Sequence, residues 1–199
     1  FKVIAKKPSA VTVNVTDSIV GQTVTITVNV TEGATGNVTI VVAGEAYTKV
    51  LTGSEVVFTF DNLTARDYHV TAYYRGDDYY LISNNTAEFT VSKLNTTIDV
   101  AVTNSTVGSV EYINVTVNAN ATGNILISIG ESRYYAVIEN GVAKFSLTGL
   151  LVGNYTANIT YLGDAKFNNN TAQAKITISK IATLITIDGS DIIEGQSEK

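Results

Sequence analysis

The segment "IVGQTVTITV", residues 19–28, is matched 87 residues later by "TVGSVEYINV", residues 106–115. The same offset aligns "YRGDDYY" (74–80) with "YLGDAKF" (161–167), and "VSK" (91–93) with "ISK" (178–180). Residues 7–93 superpose on residues 94–180 without a gap, with 26 identities in 87 positions. Self-similarity at a fixed period indicates one structural unit repeated along the chain. We therefore expect the two copies to fold alike.

The repeat also sets the expected domain organisation. Gly195 lies 87 residues after Gly108, and Lys6 lies 87 residues before Lys93. The sequence predicts the tail of a preceding repeat at 1–6, complete repeats at 7–93 and 94–180, and the start of a truncated third repeat at 181–199. On this interpretation the 199 residues are a window of a longer tandem array.

Within each copy, apolar residues alternate with threonine and asparagine. Ile26, Val28 and Val30 in the first copy correspond to Ile113, Val115 and Val117 in the second. A period of two is the signature of a half-buried strand, and no segment of helical length carries a 3.6-residue period. Each copy contains about seven such short strands, the seventh a weaker segment near Tyr47 and Tyr134. This pattern predicts an all-β fold of antiparallel two-sheet sandwiches joined end to end by short linkers.

Two further segments carry a resemblance to a known family. "LTARDY" (63–68) and "LLVGNY" (150–155) resemble the approach to an immunoglobulin tyrosine corner, with Tyr68 and Tyr155 as the corner residues. With "YRGD" or "YLGD" and the closing "FTVSK" or "ITISK", each copy resembles the bacterial Ig-like repeats of group 3. The resemblance implies tandem immunoglobulin-like sandwiches, such as those of adhesin-like surface proteins of bacteria and archaea. The copies lack the paired cysteines and core tryptophan of antibody domains.

Composition narrows the classes of function. The formal net charge of −5 disfavours nucleic acid and anionic membrane surfaces as partners, and no apolar run approaches the ~20 residues of a membrane span. There is no cysteine for a disulfide or a thiolate metal site. The single histidine, His69, is replaced by Thr156 in the second copy, and no phosphate-binding loop is present. We expect neither an enzyme nor a cofactor.

The loop "YYRGDDYY", residues 73–80, contains the tripeptide Arg75-Gly76-Asp77, which resembles the integrin-binding loop of fibronectin-type domains. Gly76 and Asp77 recur in the second copy, whereas Arg75 becomes Leu162. Glycine permits positive φ and aspartate bonds backbone amides just ahead in a turn, so a structural turn is the favoured interpretation. The alternative is a partner-binding loop formed by Arg75, Asp77, Asp78, Tyr79 and Tyr80.

Asparagine glycosylation sequons are more frequent than random placement of asparagine, serine and threonine predicts. N-x-[ST] occurs at twelve asparagines, few of which match between copies: Asn14, Asn29, Asn37, Asn62, Asn84, Asn95, Asn104, Asn114, Asn120, Asn154, Asn158 and Asn169. The alternation of polar residues on outer strand faces explains the threonines, but asparagine is a poor strand residue. The excess therefore favours extracellular N-glycosylation.

Calcium binding and a Lys–Asn cross-link are two ways in which the repeats could be made rigid. Asp61, Asp67, Asp77 and Asp78 are candidate calcium ligands in the first copy, but the second copy has Thr148, Asn154, Asp164 and Ala165 at these positions. Lys93 and Lys180 recur after the last strand, where a solvated linker lysine is favoured over a Lys–Asn cross-link. No metal site is predicted.

These features favour a non-catalytic, extracellular stalk or spacer segment of an adhesin-like cell-surface protein. The expected partners are the neighbouring repeats and, in the alternative, proteins or glycans of another cell. In that alternative the repeats themselves bind, through the loop at 75–82 or through an outer face bearing tyrosines such as Tyr73.

Overall fold

Alternating β-branched residues produce the strands, which the computed structural model describes over residues 5–189. The first copy forms β1 Val11–Asn14, β2 Ser18–Ile19, β3 Val24–Val30, β4 Asn37–Val42, β5 Glu45–Val50, β6 Glu55–Phe60, β7 Arg66–Tyr74 and β8 Ser83–Ser92. The second forms β9 Ile98–Val102, β10 Ser105–Thr106, β11 Glu111–Val117, β12 Asn124–Ile129, β13 Ser132–Val137, β14 Val142–Leu147, β15 Gly153–Tyr161 and β16 Asn170–Ser179. Every strand of the second copy begins 87 residues after its counterpart.

Each copy folds into two sheets. In the first copy a three-stranded sheet has the order β1-β3-β6, and a five-stranded sheet has the order β2-β8-β7-β4-β5. The second copy repeats both sheets with its own strands. Consecutive strands β3 and β4, and again β6 and β7, lie in different sheets, as in an immunoglobulin-like sandwich. The all-β, immunoglobulin-like sandwich expected from the sequence is confirmed.

The strands differ in two respects from those predicted from the sequence. There are eight strands per copy rather than about seven, because the short β2 and β10 were not predicted. These two strands are also parallel to their partners, with Ser18 opposite Val91 and Ser105 opposite Ile178, so the sheets are not wholly antiparallel. The seventh strand expected near Tyr47 and Tyr134 is present as β5 and β13 at one edge of each large sheet.

Each sandwich has its own apolar core. In β3, Val24, Ile26, Val28 and Val30 are buried while the threonines and Asn29 between them are more exposed. The core of the first sandwich is completed by β4, β6, β7 and β8, and that of the second by the corresponding strands. Fully burying an aliphatic side chain contributes about 1.5–3 kcal/mol, so this inner row is the main source of stability.

The ends of the chain fall mostly outside this description. The predicted tail at 1–6 lies outside the described residues except for Ala5 and Lys6, and the predicted third repeat at 181–199 is described only as far as Gly189. Residues 181–189 are exposed and form no strand. Within 5–189 there is no helix long and apolar enough to cross a membrane.

Candidate functional sites: the Tyr-x-Gly-Asp loop and the junction

The carboxylate of Asp77 organises the loop between β7 and β8. One oxygen accepts hydrogen bonds from the backbone N–H groups of Tyr79 (2.8 Å) and Tyr80 (2.7 Å). The other accepts from the backbone N–H of Thr35 (2.8 Å) and from its hydroxyl (3.1 Å). Asp77 therefore closes its own turn and ties it to the loop between β3 and β4.

The second sandwich repeats these four contacts. Asp164 accepts from the backbone N–H groups of Lys166 and Phe167, both at 2.7 Å. It also accepts from the N–H of Thr122 at 2.8 Å and from its hydroxyl at 2.9 Å. Because the arrangement is the same where Leu162 replaces arginine, it belongs to the fold of the repeat rather than to the tripeptide.

The glycine of the same turn is required by both conformation and space. Gly76 has a φ of 77° and Gly163 a φ of 81°, in the left-handed region that disfavours other residues. A Cβ atom at either position would lie 2.8 Å from a backbone carbonyl oxygen, that of Tyr80 or Phe167. The glycine and the aspartate of the motif thus both have structural roles.

Electrostatics agree with the geometry. Desolvation alone would raise the pKa of the Asp77 carboxyl, but the backbone N–H groups of Thr35, Tyr79 and Tyr80 outweigh it and hold the pKa well below its usual range. The pKa of Asp164 is depressed in the same way, by the N–H groups of Lys166, Phe167 and Thr122 against desolvation. Both carboxylates are held ionised by internal donors.

The residues of the predicted partner-binding loop consequently separate into two groups. Asp77 is turned inward, and Tyr80 is half-buried with its hydroxyl donating to the carbonyl of Glu32 at 3.0 Å. Arg75, Asp78 and Tyr79 are exposed, Tyr79 by 67%. Of the five residues of the predicted site, these three have side chains open to a partner.

Beside Arg75 the large sheet of the first sandwich carries an open groove of about 590 Å³. Its lining includes Val41, Ala46, Tyr73, Arg75, Ile82 and Asn84. Tyr73 is 43% exposed and Ile82 is 75% exposed. The second copy has Thr160, Leu162 and Asn169 in place of Tyr73, Arg75 and Ile82, so this combination belongs to the first copy alone.

Both predicted corner tyrosines bond back along the chain. The hydroxyl of Tyr68 donates to the carbonyl of Thr64, and that of Tyr155 to the carbonyl of Leu151, each at 2.9 Å. A hydroxyl that returns to the backbone a few residues upstream is the contact that defines a tyrosine corner. In the first sandwich Tyr68 also stacks on Phe89, with ring centroids 5.1 Å apart.

The four calcium candidates do not form a binding site. Asp61 accepts from the hydroxyl of Thr23, and Asp67 accepts from the hydroxyl of Thr90 at 2.7 Å. Both oxygens of Asp77 are engaged, one by its own turn and one by Thr35. Over residues 5–189 no three aspartate, glutamate, histidine or cysteine side chains group so as to hold a metal ion. The four aspartates are therefore not gathered into one group: Asp61 and Asp67 each bond a threonine hydroxyl, and Asp77 bonds its own turn and Thr35.

The sequon asparagines lie on the surface. Eleven of the twelve are exposed, and Asn29 is partly buried. The amide nitrogen of none of the twelve donates a hydrogen bond to the part of the protein that the structure describes, whereas Asn85 and Asn170, outside sequons, donate theirs to backbone carbonyls at 2.9 Å and 2.6 Å. The atom to which N-glycans attach is therefore free at every predicted position.

The junction between the sandwiches is one residue long. The last bond of the first sandwich runs from the N–H of Val20 to the carbonyl of Ser92 at 2.9 Å. Leu94 already belongs to the second, because its N–H donates to Lys166 at 2.8 Å and its carbonyl accepts from Asn168 at 2.9 Å. The residue between them, Lys93, donates from its ammonium group to the carbonyl of Asp164.

Apolar side chains from both sandwiches line one cleft beside this junction. A cleft of about 280 Å³ is lined by Val20 and Leu63 of the first sandwich and by Leu94 and Phe167 of the second. The β15–β16 loop, which Asp164 holds in shape, supplies Phe167 and the carbonyl that binds Lys93. The recurring turn of the second copy thus also lies at the junction with the first.

Sequence reasoning missed three features. The partners Thr35 and Thr122 were not singled out, although they recur with the offset of 87. The sequence favours a solvated linker lysine at Lys93, whereas its ammonium group contacts a neighbouring turn. Glu111 was not recognised as buried, although its position aligns with Val24 and shares the parity of Ile113. It is 1% exposed, and neither carboxylate oxygen has a hydrogen-bond partner within the described chain.

Comparison with known proteins finds likeness in structure only. No protein-family model matches the sequence, and no curated protein matches it. Among solved structures, the fibronectin(III)-like modules of Clostridium thermocellum CbhA align with 90% of this chain and 100% of their own, at 10% identity and a TM-score of 0.38. The titin domains z1z2, solved in complex with telethonin, align over the same shares at 12% identity and a TM-score of 0.48. The fold assignment follows from the strand order of this chain itself.

Proposed function

We propose that the chain is a non-catalytic segment of an adhesin-like protein at the cell surface, where its repeats act as a semi-rigid spacer. The observation that supports this proposal is the one-residue junction at Lys93. Backbone hydrogen bonds assign Ser92 to the first sandwich and Leu94 to the second, and the side chain of Lys93 is itself bonded. A linker without free residues resists bending, unlike a flexible chain of glycine and serine.

Such a junction suits a spacer. At about 3.3 Å per strand residue, each sandwich adds roughly 35–40 Å along the array. Because each repeat contacts only its neighbours, the stability of the array is approximately a sum of repeat and interface contributions, and its length can change without redesign. In this role the sandwiches hold a distal binding head away from the cell.

N-glycosylation is part of the proposal. Support comes from the exposure of eleven of the twelve sequon asparagines and from the free amide nitrogen of all twelve. Several of them lie beside strand edges, such as Asn14 at the end of β1, the outer strand of the small sheet. Oligosaccharides there protect the edges from pairing with other chains and from proteases.

The test is small-angle X-ray scattering of the chain and of a variant with a four-residue Gly-Ser insertion between Lys93 and Leu94. A matched control carries the same insertion at Ala43–Gly44, in the turn between β4 and β5. The proposal expects an elongated particle of roughly 70–80 Å for two sandwiches, from the same strand spacing. The junction insertion should broaden the distance distribution and the control should not. An equally broad distribution in all three proteins would contradict the spacer.

A second candidate function is supported by the groove beside Arg75. Tyr73 offers a large exposed ring at low side-chain entropy cost. Arg75 offers a guanidinium group that forms no salt bridge within residues 5–189, in a chain with a net negative charge. We propose it as the adhesive site of the first copy for a surface protein or glycan of another cell. Arg75→Leu, which installs the residue of the second copy, should abolish saturable binding to partner cells. Leu162→Ala in the second copy is the matched control.

A further inference from the structure

Three sequons collect at the junction between the two sandwiches. Asn62, in the loop between β6 and β7, and Asn120, in the loop between β11 and β12, line the same cleft from opposite sides. Asn95 lies at the start of the second sandwich, two residues after Lys93. The remaining sequons are distributed over outer strand faces and other loops.

The repeat itself does not explain this clustering. The counterpart of Asn62 in the second copy is Gly149, and the counterparts of Asn120 and Asn95 in the first copy are Gly33 and Pro8. The three sequons are therefore present where the described sandwiches meet and absent at the equivalent positions on their other ends. Asparagine thus stands on both sides of this one junction, a placement that the folding of the repeat does not require.

The side chains are accessible to modification. Asn62, Asn95 and Asn120 are all exposed. Asn95 uses its carbonyl oxygen to accept from Asn168 at 3.3 Å, which leaves its amide nitrogen free. Asn62 has a φ of 60°, and glycine stands at the equivalent position in the second copy with a φ of 79°. Glycine can therefore replace Asn62 without changing the backbone.

We propose that N-linked oligosaccharides at Asn62 and Asn120 form a steric wedge that restricts bending of this junction. The inference rests on the glycoprotein part of the proposed function. The cleft between the two asparagines, at about 280 Å³, is below the ~300 Å³ of the smallest ligand pockets, so two oligosaccharides do not fit inside it. They must stand outside the cleft, one on each sandwich.

The excluded volume of these two oligosaccharides then limits bending at the junction. Bending toward the cleft brings the two oligosaccharides into overlap, and this opposes closure on that side. Extension of the linker is limited by the bond from Lys93 to the Asp164 carbonyl. Val20 and Leu63 line the cleft but pack against the core of the first sandwich, and Leu94 and Phe167 pack within that of the second. The oligosaccharides thus add stiffness where protein contacts are few.

The experiment uses the whole chain secreted from a eukaryotic host that glycosylates N-x-[ST]. Glycopeptide mass spectrometry gives the occupancy of each sequon. The chain has no cysteine, so Glu45→Cys and Ser132→Cys, at equivalent exposed positions of the two sandwiches, take dyes for single-molecule energy transfer. The junction variant combines Asn62→Gly with Asn120→Gln, and the control variant combines Asn14→Gln with Asn84→Gln.

We expect Asn62 and Asn120 to be occupied. The junction variant should show a distance distribution that is broader and shifted toward shorter distances, as should the parent after enzymatic removal of its glycans. The control variant should match the parent. Identical distributions for the parent and the junction variant would overturn the wedge. So would bare Asn62 and Asn120 alongside occupied sites elsewhere, whereas twelve bare sites would also remove glycosylation from the proposed function.

Discussion

The carboxylate of Asp77 binds both the backbone N–H and the hydroxyl of Thr35, 42 residues earlier in the chain, and Asp164 binds Thr122 in the same way. This pair joins the two loops at one end of each sandwich. In the second sandwich that end meets the preceding one, since Asp164 also supplies the carbonyl bound by Lys93. The turn motif therefore couples the fold of a repeat to its junction.

Removing the carboxylate should loosen these loops. We expect Asp77→Ala to lower the thermal midpoint of the first sandwich and Asp164→Ala that of the second, because each change leaves three backbone N–H groups without their acceptor. Amide hydrogen exchange resolved by residue assigns the loss to one sandwich. Asp78→Ala, an exposed neighbour, is the control and should leave the midpoint unchanged. An equal effect of Asp78→Ala would contradict the structural role.

The same carboxylates predict an acid limb of stability. Their pKa values in the folded protein lie below those of an unfolded aspartate, so the unfolded chain takes up protons first as the pH falls. The contribution is fully present above about pH 4 and is lost progressively below it. Denaturant unfolding measured between pH 2 and pH 6 should show this decline. It should be shallower in the protein carrying both Asp77→Ala and Asp164→Ala.

At the alkaline end the buried tyrosines act in the opposite direction. Burial and the neighbouring aspartate carboxylates raise the pKa of Tyr74 and of Tyr161 to about 12. Because the folded protein holds these protons more tightly than the unfolded chain, their contribution is present below about pH 10 and is lost as the pH rises through 12. Absorbance titration of tyrosine should show two groups ionising only as the protein unfolds. Titration of all eleven tyrosines below the unfolding transition would contradict this.

Glu111 predicts a gain of stability by substitution. Its carboxyl group is buried in the second sandwich without a hydrogen-bond partner among the described residues, at the position that Val24 occupies in the first. Glu111→Val removes this desolvation cost and should raise the free energy of unfolding of the second sandwich by about 1–3 kcal/mol. The reciprocal Val24→Glu should lower that of the first. Denaturant titration measures both, and a destabilising Glu111→Val would point to a binding partner for the carboxyl group.

The turn glycine offers a test of steric requirement. Gly76 and Gly44 both have positive φ, of 77° and 85°, but only at Gly76 would a Cβ meet backbone, at 2.8 Å from the Tyr80 carbonyl. Gly44→Ala should cost only the left-handed conformation, about 1–2 kcal/mol. Gly76→Ala should cost distinctly more, since backbone must also move. Equal losses in denaturant unfolding would show that the loop yields without strain.

The repeat and the strands could be predicted because both are local in sequence. Alternation of Ile26, Val28 and Val30 specifies which face of β3 is buried, and the offset of 87 transfers that assignment to β11. The two-residue β2 could not be found in this way, because two residues show no alternation and its pairing with β8 spans more than 70 positions.

The contacts of the sites depend on partners distant in sequence. Asp77 could be placed in a turn from its own neighbours, but its bond to Thr35 requires the β3–β4 loop to come alongside. Lys93 resembled a solvated linker residue because its acceptor, a backbone carbonyl, has no sequence signature. Sequons are visible in sequence, yet the opposition of Asn62 and Asn120 across one cleft follows only from the packing of the two sandwiches.

The stiffness of the junction at Lys93 is the central claim, and ¹⁵N relaxation of the two-sandwich chain in solution measures it most directly. If the junction is semi-rigid, amides of both sandwiches fit one anisotropic rotational diffusion tensor, with the long axis running through both. Insertion of four Gly-Ser residues after Lys93 should divide this into two faster, independent tensors. Two independent tensors in the unmodified chain would contradict a semi-rigid junction and show that the sandwiches reorient independently.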